Sequence, residues 1–205
     1  MQVLGTIGRV TAMVLIIGIG WCVAPHLFSP SRLANPQGAA SQHPSIYFAP
    51  QQNVALIDIS LIRHSRRSIQ IAMYAFTDRR IAKALVDACR QGVDISIYRD
   101  HEQYQQEKRH NSPVHQILQQ CEGIHVRVKR SRELMHEKAA LFDGVTLRDG
   151  SGNWSISAVR YQDNEISITQ QPEEVEAFKR DFARMWQRSD NIIVHSRGER
   201  QDACL

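Results

Sequence analysis

A chain of 205 residues, 42% apolar with only 11 Gly and 7 Pro, can bury one compact core and carry a short appendage, but two full domains would be cramped. The net charge of +4 and a pI near 9.0 favour polyanionic partners such as nucleic acid or an anionic membrane surface, without excluding others. Four cysteines at 22, 89, 121 and 203 form no C-x-x-C pair, which argues against a zinc ribbon or a thioredoxin-like redox pair; Cys89 and Cys121 are expected as free, buried thiols.

Val10–Ala24 is an apolar run without a charge, and extended to Phe28 it reaches about the length a helix needs to cross a bilayer. Residues 1–28 therefore read as a signal anchor or a signal peptide, the anchor being favoured because no clean A-x-A site follows directly. Residues 29–45, rich in Pro, Ser, Ala and Gln, read as a linker. A folded domain is expected over 46–194, with a disordered tail at 195–205.

Within that domain, helical periodicity covers Val54–His64, and "SIQIAMYAF" (68–76) has the composition of a buried strand. Asp78 is placed to cap a helix whose inward face carries Ile81, Leu85 and Ala88, and Gly92 stands where that helix should stop. Val93, Ile95 and Ile97 alternate as a strand ending at Asp100. The polar stretch 101–111 is expected as an exposed loop. A helix with Val114, Ile117, Leu118 and Cys121 inward comes next, then a strand over Ile124–Val128. "NEISITQ" predicts another strand, and Pro172–Arg188 a packing helix with Val175, Phe178, Phe182, Met185 and Trp186 on one stripe. Strands alternating with amphipathic helices predict an α/β fold, a mixed β-sheet covered by helices on both faces.

The chemistry concentrates in "HEKAALFDGVTLRDGSGN" (136–153). If "HEKAALF" is a strand, its period of two sends His136 and Lys138 to one face. Asp143 has the opposite parity and lies at the strand end, so it is expected as a structural partner, for instance of a basic side chain. The turn Gly150–Asn153 adds backbone N–H groups, the Ser151 hydroxyl and the Asn153 carboxamide, donors suited to an oxyanion. With Lys138 these would neutralise a phosphodiester while an uncharged His136 acts as nucleophile. Glu165 is a candidate to hold the other ring nitrogen and fix the tautomer. An exposed strand face followed by an ordinary turn is the plain alternative. The Gly-Ser-x-Asn element, separated from Asp143 by six residues, makes it the weaker one.

"HEKAALFD" with "GSGN" resembles the HKD motif of the phospholipase D superfamily, in its H-x-K-x4-D-x6-G-S-x-N form, and the resemblance extends from about Ile46 to Gln187. One copy of the motif per chain is similar to the single-motif bacterial endonucleases, whose relatives include cardiolipin hydrolases. The resemblance implies a phospholipase D-like fold and metal-independent phosphodiester cleavage, with no cofactor and no metal ligands. It also implies a homodimer in which one His136 forms a phosphohistidine and its mate protonates the leaving oxygen. Lys138, Asn153 and Ser151 would hold phosphate oxygens, and Glu165 would orient His136. Asp149 departs from the family, which has a small residue before Gly-Ser.

Arg127, Lys129, Arg130 and Arg132, directly before the motif, are candidates for a base-independent grip on nucleic acid, DNA or RNA. A membrane phospholipase acting on phospholipid, and a membrane-tethered protein that binds phosphate without cutting, are the alternatives. A membrane-anchored or secreted protein with an extracytoplasmic catalytic domain is the expected placement.

Overall fold

A computed structural model describes residues 45–131 and 133–194, which form an eight-stranded mixed sheet. In chain order its elements are β1 (Ser45–Ala49), α1 (Val54–His64), β2 (Ser68–Met73), α2 (Arg79–Arg90), β3 (Asp94–Arg99), α3 (His101–Arg109), α4 (Val114–Leu118), β4 (Ile124–Val128), β5 (Lys138–Phe142), β6 (Thr146–Gly150), α5 (Ile156–Arg160), β7 (Asn164–Thr169), α6 (Pro172–Trp186) and β8 (Ile192–Val194). The strand order is β1-β7-β6-β5-β2-β3-β4-β8, with β2, β3 and β4 parallel and the other pairings antiparallel. The expected anchor, linker and tail lie outside the described residues, except that β1 begins at Ser45, the last residue assigned to the linker. No helix among the described residues is long and apolar enough to cross a membrane.

The alternation read from the sequence sorts the core into two layers. Ile69 and Ile71 of β2, Ile95 and Ile97 of β3, and Ala140 and Phe142 of β5 meet helices α1, α2 and α4 on one face. Ala72, Tyr98, Ala139 and Leu141 point the other way, onto Val175, Phe178, Phe182 and Met185 of α6. Helices therefore do cover both faces. The Asp78 carboxylate caps α2 by accepting the Arg80 N–H at 2.8 Å, and Gly92 follows the helix at φ +90°, a conformation that glycine adopts without steric penalty.

Two expectations fail here. The segment 101–111 is largely helical: Asp100 caps α3 by accepting the Gln103 N–H, and only Tyr104 and Glu107 turn inward. One of those inward groups is a carboxylate made tolerable by Arg99, so apolar periodicity has nothing to detect. Cys89 and Cys121 are not free thiols but form a disulfide that ties the end of α2 to the turn before β4.

Candidate active site

Strand direction gathers the motif at one end of the sheet. β5 runs antiparallel to β2 and β6, so Lys138 lies across from Met73, two steps from the Ala140–Arg148 pair, and the 150–153 turn follows β6 at the same edge. The ladder continues one step past the strands, where Tyr74 N–H donates to Glu137 O at 2.9 Å. His136 thus stands just ahead of β5 rather than inside it. Its ring is exposed, packs edge-on to Tyr74 with centroids 4.7 Å apart, and makes no hydrogen bond among the described residues. Behind it, Met135 is buried against the α6 layer, and its N–H donates to Asp100 Oδ2 at 2.9 Å.

Lys138 is only 5% exposed. Its ammonium donates to His136 O and sits 5.2 Å from the Tyr74 ring centroid. Burial, and secondarily the charge of Arg148, lower its pKa, with Asp149 acting in the opposite sense. The chain that carries Tyr74 is itself held from below: buried Arg99 donates to Met73 O and Tyr74 O and pairs with Glu107, whose Oε1 accepts the Phe76 N–H. One residue after Tyr74, Ala75 N–H donates to Asn153 Oδ1 at 3.0 Å. That bond fixes which end of the carboxamide faces the chain and leaves the Nδ2 donors without a partner among the described residues. His136, Lys138 and Asn153 therefore converge on the Tyr74–Ala75 segment.

The turn is stapled to β7. Ser151 N–H donates to Glu165 O, the Glu165 N–H donates to Ser151 Oγ, and that hydroxyl donates to Asn164 Oδ1, each at 3.0 Å. Gly150 is required there, because φ is +144° and a Cβ would stand 2.3 Å from Glu165 O. Ser151 is thus engaged in building the turn. The Glu165 side chain is exposed, lies beside Phe48, Gln51 and Gln52, and makes no hydrogen bond among the described residues, His136 included. Asp149 projects from the sheet face opposite Arg148, and its carboxylate accepts the Gly150 N–H.

Asp143 ends β5 at φ +53°, with its carboxylate accepting the N–H groups of Arg66, Arg67 and Ser68. The carboxylate's hydrogen-bond partners are backbone amides, while the expected basic side chain is Arg67, which donates to Asp143 O at 2.8 Å and whose charge acts on the carboxylate. The basic run is also largely committed to the fold. Arg127 lies 4.4 Å above the Trp186 ring and donates to Trp186 O; Lys129 is nearly buried and donates to Glu133 O at 2.5 Å. Arg130 is exposed, and Arg132 lies outside the described residues. Sequence reasoning missed Tyr74, Asn164 and a fully buried ion pair between Arg148 and Asp58. None belongs to a local pattern, although an arginine inside the strand "TLRDG" is a signal that some distant acid must answer it.

A mixed sheet with one His-x-Lys motif beside a Gly-Ser-x-Asn turn defines a phospholipase D-like domain. The chain belongs to the family described as "Cardiolipin synthase, PLD-like domain", which matches residues 59–186. It is 28% identical over 136 residues to the mitochondrial cardiolipin hydrolase of Danio rerio, covering 65% of this chain and 58% of that protein; it thus spans about three fifths of that relative's length. Its fold is similar to that of a phospholipase D family member, Nuc, from Salmonella typhimurium, with TM-score 0.66 and 25% identity over 75% of this chain and 100% of the other. NucT from Helicobacter pylori follows with TM-score 0.62 and 25% identity, covering 70% and 95%.

Proposed function

We propose that this protein is a phosphodiesterase that cleaves nucleic acid through a phosphohistidine, at a site completed by a second copy of the chain. The observation that carries the reading is an exposed His136 ring with no hydrogen-bonding partner among the described residues, beside a nearly buried Lys138 ammonium and an Asn153 amide aimed by Ala75. A neutral ring nitrogen attacks phosphorus, and the bond to the leaving oxygen breaks as the partner's His136 gives that oxygen a proton. Water then attacks the phosphohistidine, surrendering its proton to the same partner ring, and the phosphate leaves with His136 restored. Lys138 and Asn153 offset the charge that gathers on the equatorial oxygens. A two-fold axis brings two identical motifs together, which supplies both the nucleophile and the acid from one sequence.

Nucleic acid is favoured by the basic pI of the chain. Phospholipid is the second reading. It rests on the relatives named as cardiolipin hydrolases and on exposed Leu134, Ile156 and Tyr161 in the segments flanking the motif. The disulfide supports an oxidising, extracytoplasmic setting for the domain.

The test is a single preparation, in excess chelator, assayed on supercoiled plasmid, single-stranded RNA and cardiolipin vesicles, with His136→Ala as control. Nicking by wild type but not by the variant is expected. Cleavage of cardiolipin alone would transfer the assignment to the second reading, and a requirement for added divalent metal would overturn the mechanism.

A further inference from the structure

Arg148 is 0% exposed and Asp58, its partner on α1, is 1% exposed. The guanidinium uses its fork in three directions. Nε donates to Asp58 Oδ1 at 3.0 Å, Nη1 donates to Lys138 O at 2.5 Å, and Nη2 donates to Gly152 O at 2.8 Å. A Cβ at Gly152 would stand 3.3 Å from Nη2 and from Ile166 Cγ2, tight enough to push both by a few tenths of an ångström. The two carbonyls belong to the two halves of the motif: one is the residue that supplies the ammonium, the other immediately precedes Asn153.

Stability does not explain this arrangement. Replacing a buried ion pair by apolar side chains of similar volume is often neutral or favourable, because desolvating two charges offsets most of their attraction. A leucine or methionine at 148 would fill the space between β6 and α1 without a charge, but would leave the Lys138 and Gly152 carbonyls without this donor. What apolar side chains cannot do is bind two carbonyls at a set separation. Arginine is suited to that task because its donors lie in one rigid plane.

We infer that Arg148, oriented by Asp58, is a positioning residue that fixes the separation between Lys138 and Asn153 across the reacting phosphate. The inference rests on the phosphodiesterase reading above. Arg148 reaches no solvent and touches no substrate. It acts by clamping the main chain on both sides of the phosphate, and positioning errors near 1 Å are enough to slow a reaction by about 100-fold.

The test is steady-state kinetics on bis(p-nitrophenyl) phosphate, a minimal phosphodiester, with thermal melting of the same samples. The double variant Asp58→Leu/Arg148→Met removes both charges together. We expect it to stay folded but melt below wild type, because two carbonyls lose their donor, while kcat falls by about 100-fold at a temperature where both proteins are folded and KM changes by less than about 3-fold, the split expected when geometry rather than binding is lost. Arg148→Lys keeps a cation facing Asp58 without the planar fork, and should show the same kcat loss. Asp58→Asn keeps the arginine and both carbonyl bonds, so it should melt lower yet recover most of kcat. A folded double variant with wild-type kcat would overturn the inference. If that variant does not fold, wild-type kcat in Arg148→Lys overturns it instead. A wild-type protein inactive on this probe and on the natural polymers and lipids would remove the phosphodiesterase reading, and the inference with it.

Discussion

The motif aspartate offers the sharpest separation of structural from chemical roles, and Asp143→Asn is the perturbation of choice because asparagine tolerates the φ of +53° at this position. The carboxylate accepts from Arg67 N–H at 2.7 Å, Arg66 N–H at 2.9 Å and Ser68 N–H at 3.1 Å, pinning the entry of β2 to the exit of β5. Burial works against its ionisation, but the N–H groups of Arg67, Ser68 and Arg66, with the Arg67 charge, outweigh that and lower its pKa. With each partly solvated bond contributing about 1 kcal/mol, removing the charge while keeping one acceptor should cost about 1–2 kcal/mol. For a domain of this size that is a fall in Tm of roughly 3–6 °C. The lowered pKa fixes the sign: the contribution is present above the ordinary value of 3.8 and is lost as pH falls through the folded value, so the two proteins should converge in acid. Activity should not change by more than about 2-fold, because five strand steps place Asp143 about 17 Å from Lys138. Differential scanning calorimetry from pH 3 to 8, paired with kcat at a temperature where both proteins are folded, measures all of this. An unchanged Tm with kcat down 100-fold would refute the structural assignment.

Two further outcomes follow from the packing. The Cys89–Cys121 bridge spans 32 residues, and the chain-entropy relation for a loop of that size gives about 3–4 kcal/mol, so Cys89→Ser/Cys121→Ser should lower the urea midpoint while reductant has no effect on the variant. Glu137 lies below the sheet, where burial first and then Asp181 and Asp149 push its pKa from 4.5 up to about 7, with Arg184 opposing. A raised carboxyl pKa means the folded state holds the extra proton, so the Glu137 contribution to stability is fully present below pH 4.5 and is lost as pH rises through about 7. Discounted for its partial exposure, the decline should be of order 1 kcal/mol. Glu137→Gln should remove that slope in a Tm-against-pH series, and an unaltered slope would reject the assignment.

What the sequence shows about this fold is what repeats locally. The inward residues of α1, α2 and α6 and the alternation in β2, β3 and β5 recur every few positions, and the structure buries the residues that this periodicity selects. α3 is invisible to the same reading because its inward face holds a tyrosine and a carboxylate, the latter answered by Arg99 from the preceding strand. The disulfide and the Arg148–Asp58 pair join residues 32 and 90 positions apart, and no local pattern states such a distance. The basic run before the motif shows that local charge does not reveal which cations the fold itself uses. Four cations in six positions read as a ligand surface, yet Arg127 caps the C-terminal end of α6 and Lys129 ties down the chain ahead of Met135. Of the four, Arg130 alone is seen exposed among the described residues, so the reading of a ligand surface rests on it and on donors that Arg127 and Lys129 leave over.

Glu165 shows how one step of register decides a functional assignment. In β7, Ile166 is fully buried with Trp154 in the layer under α1 and α2, so its neighbour Glu165 must project from the other face, beside exposed Phe48 of β1. The residue with the parity of Ile166 is Asn164, and it is Asn164 that accepts the Ser151 hydroxyl and donates to Ala158 O under the turn. An amide suits that place because it satisfies a hydroxyl and a carbonyl at once, whereas a carboxylate would meet the carbonyl oxygen without a proton to offer. The His136 ring is consequently left with aromatic contact from Tyr74 and, among the described residues, with no hydrogen-bond partner to select its tautomer. In the mechanism proposed above, that selection falls to the partner's His136 and to the phosphate itself. The proton arrangement of the pair is then set on assembly and substrate binding rather than by a fixed carboxylate.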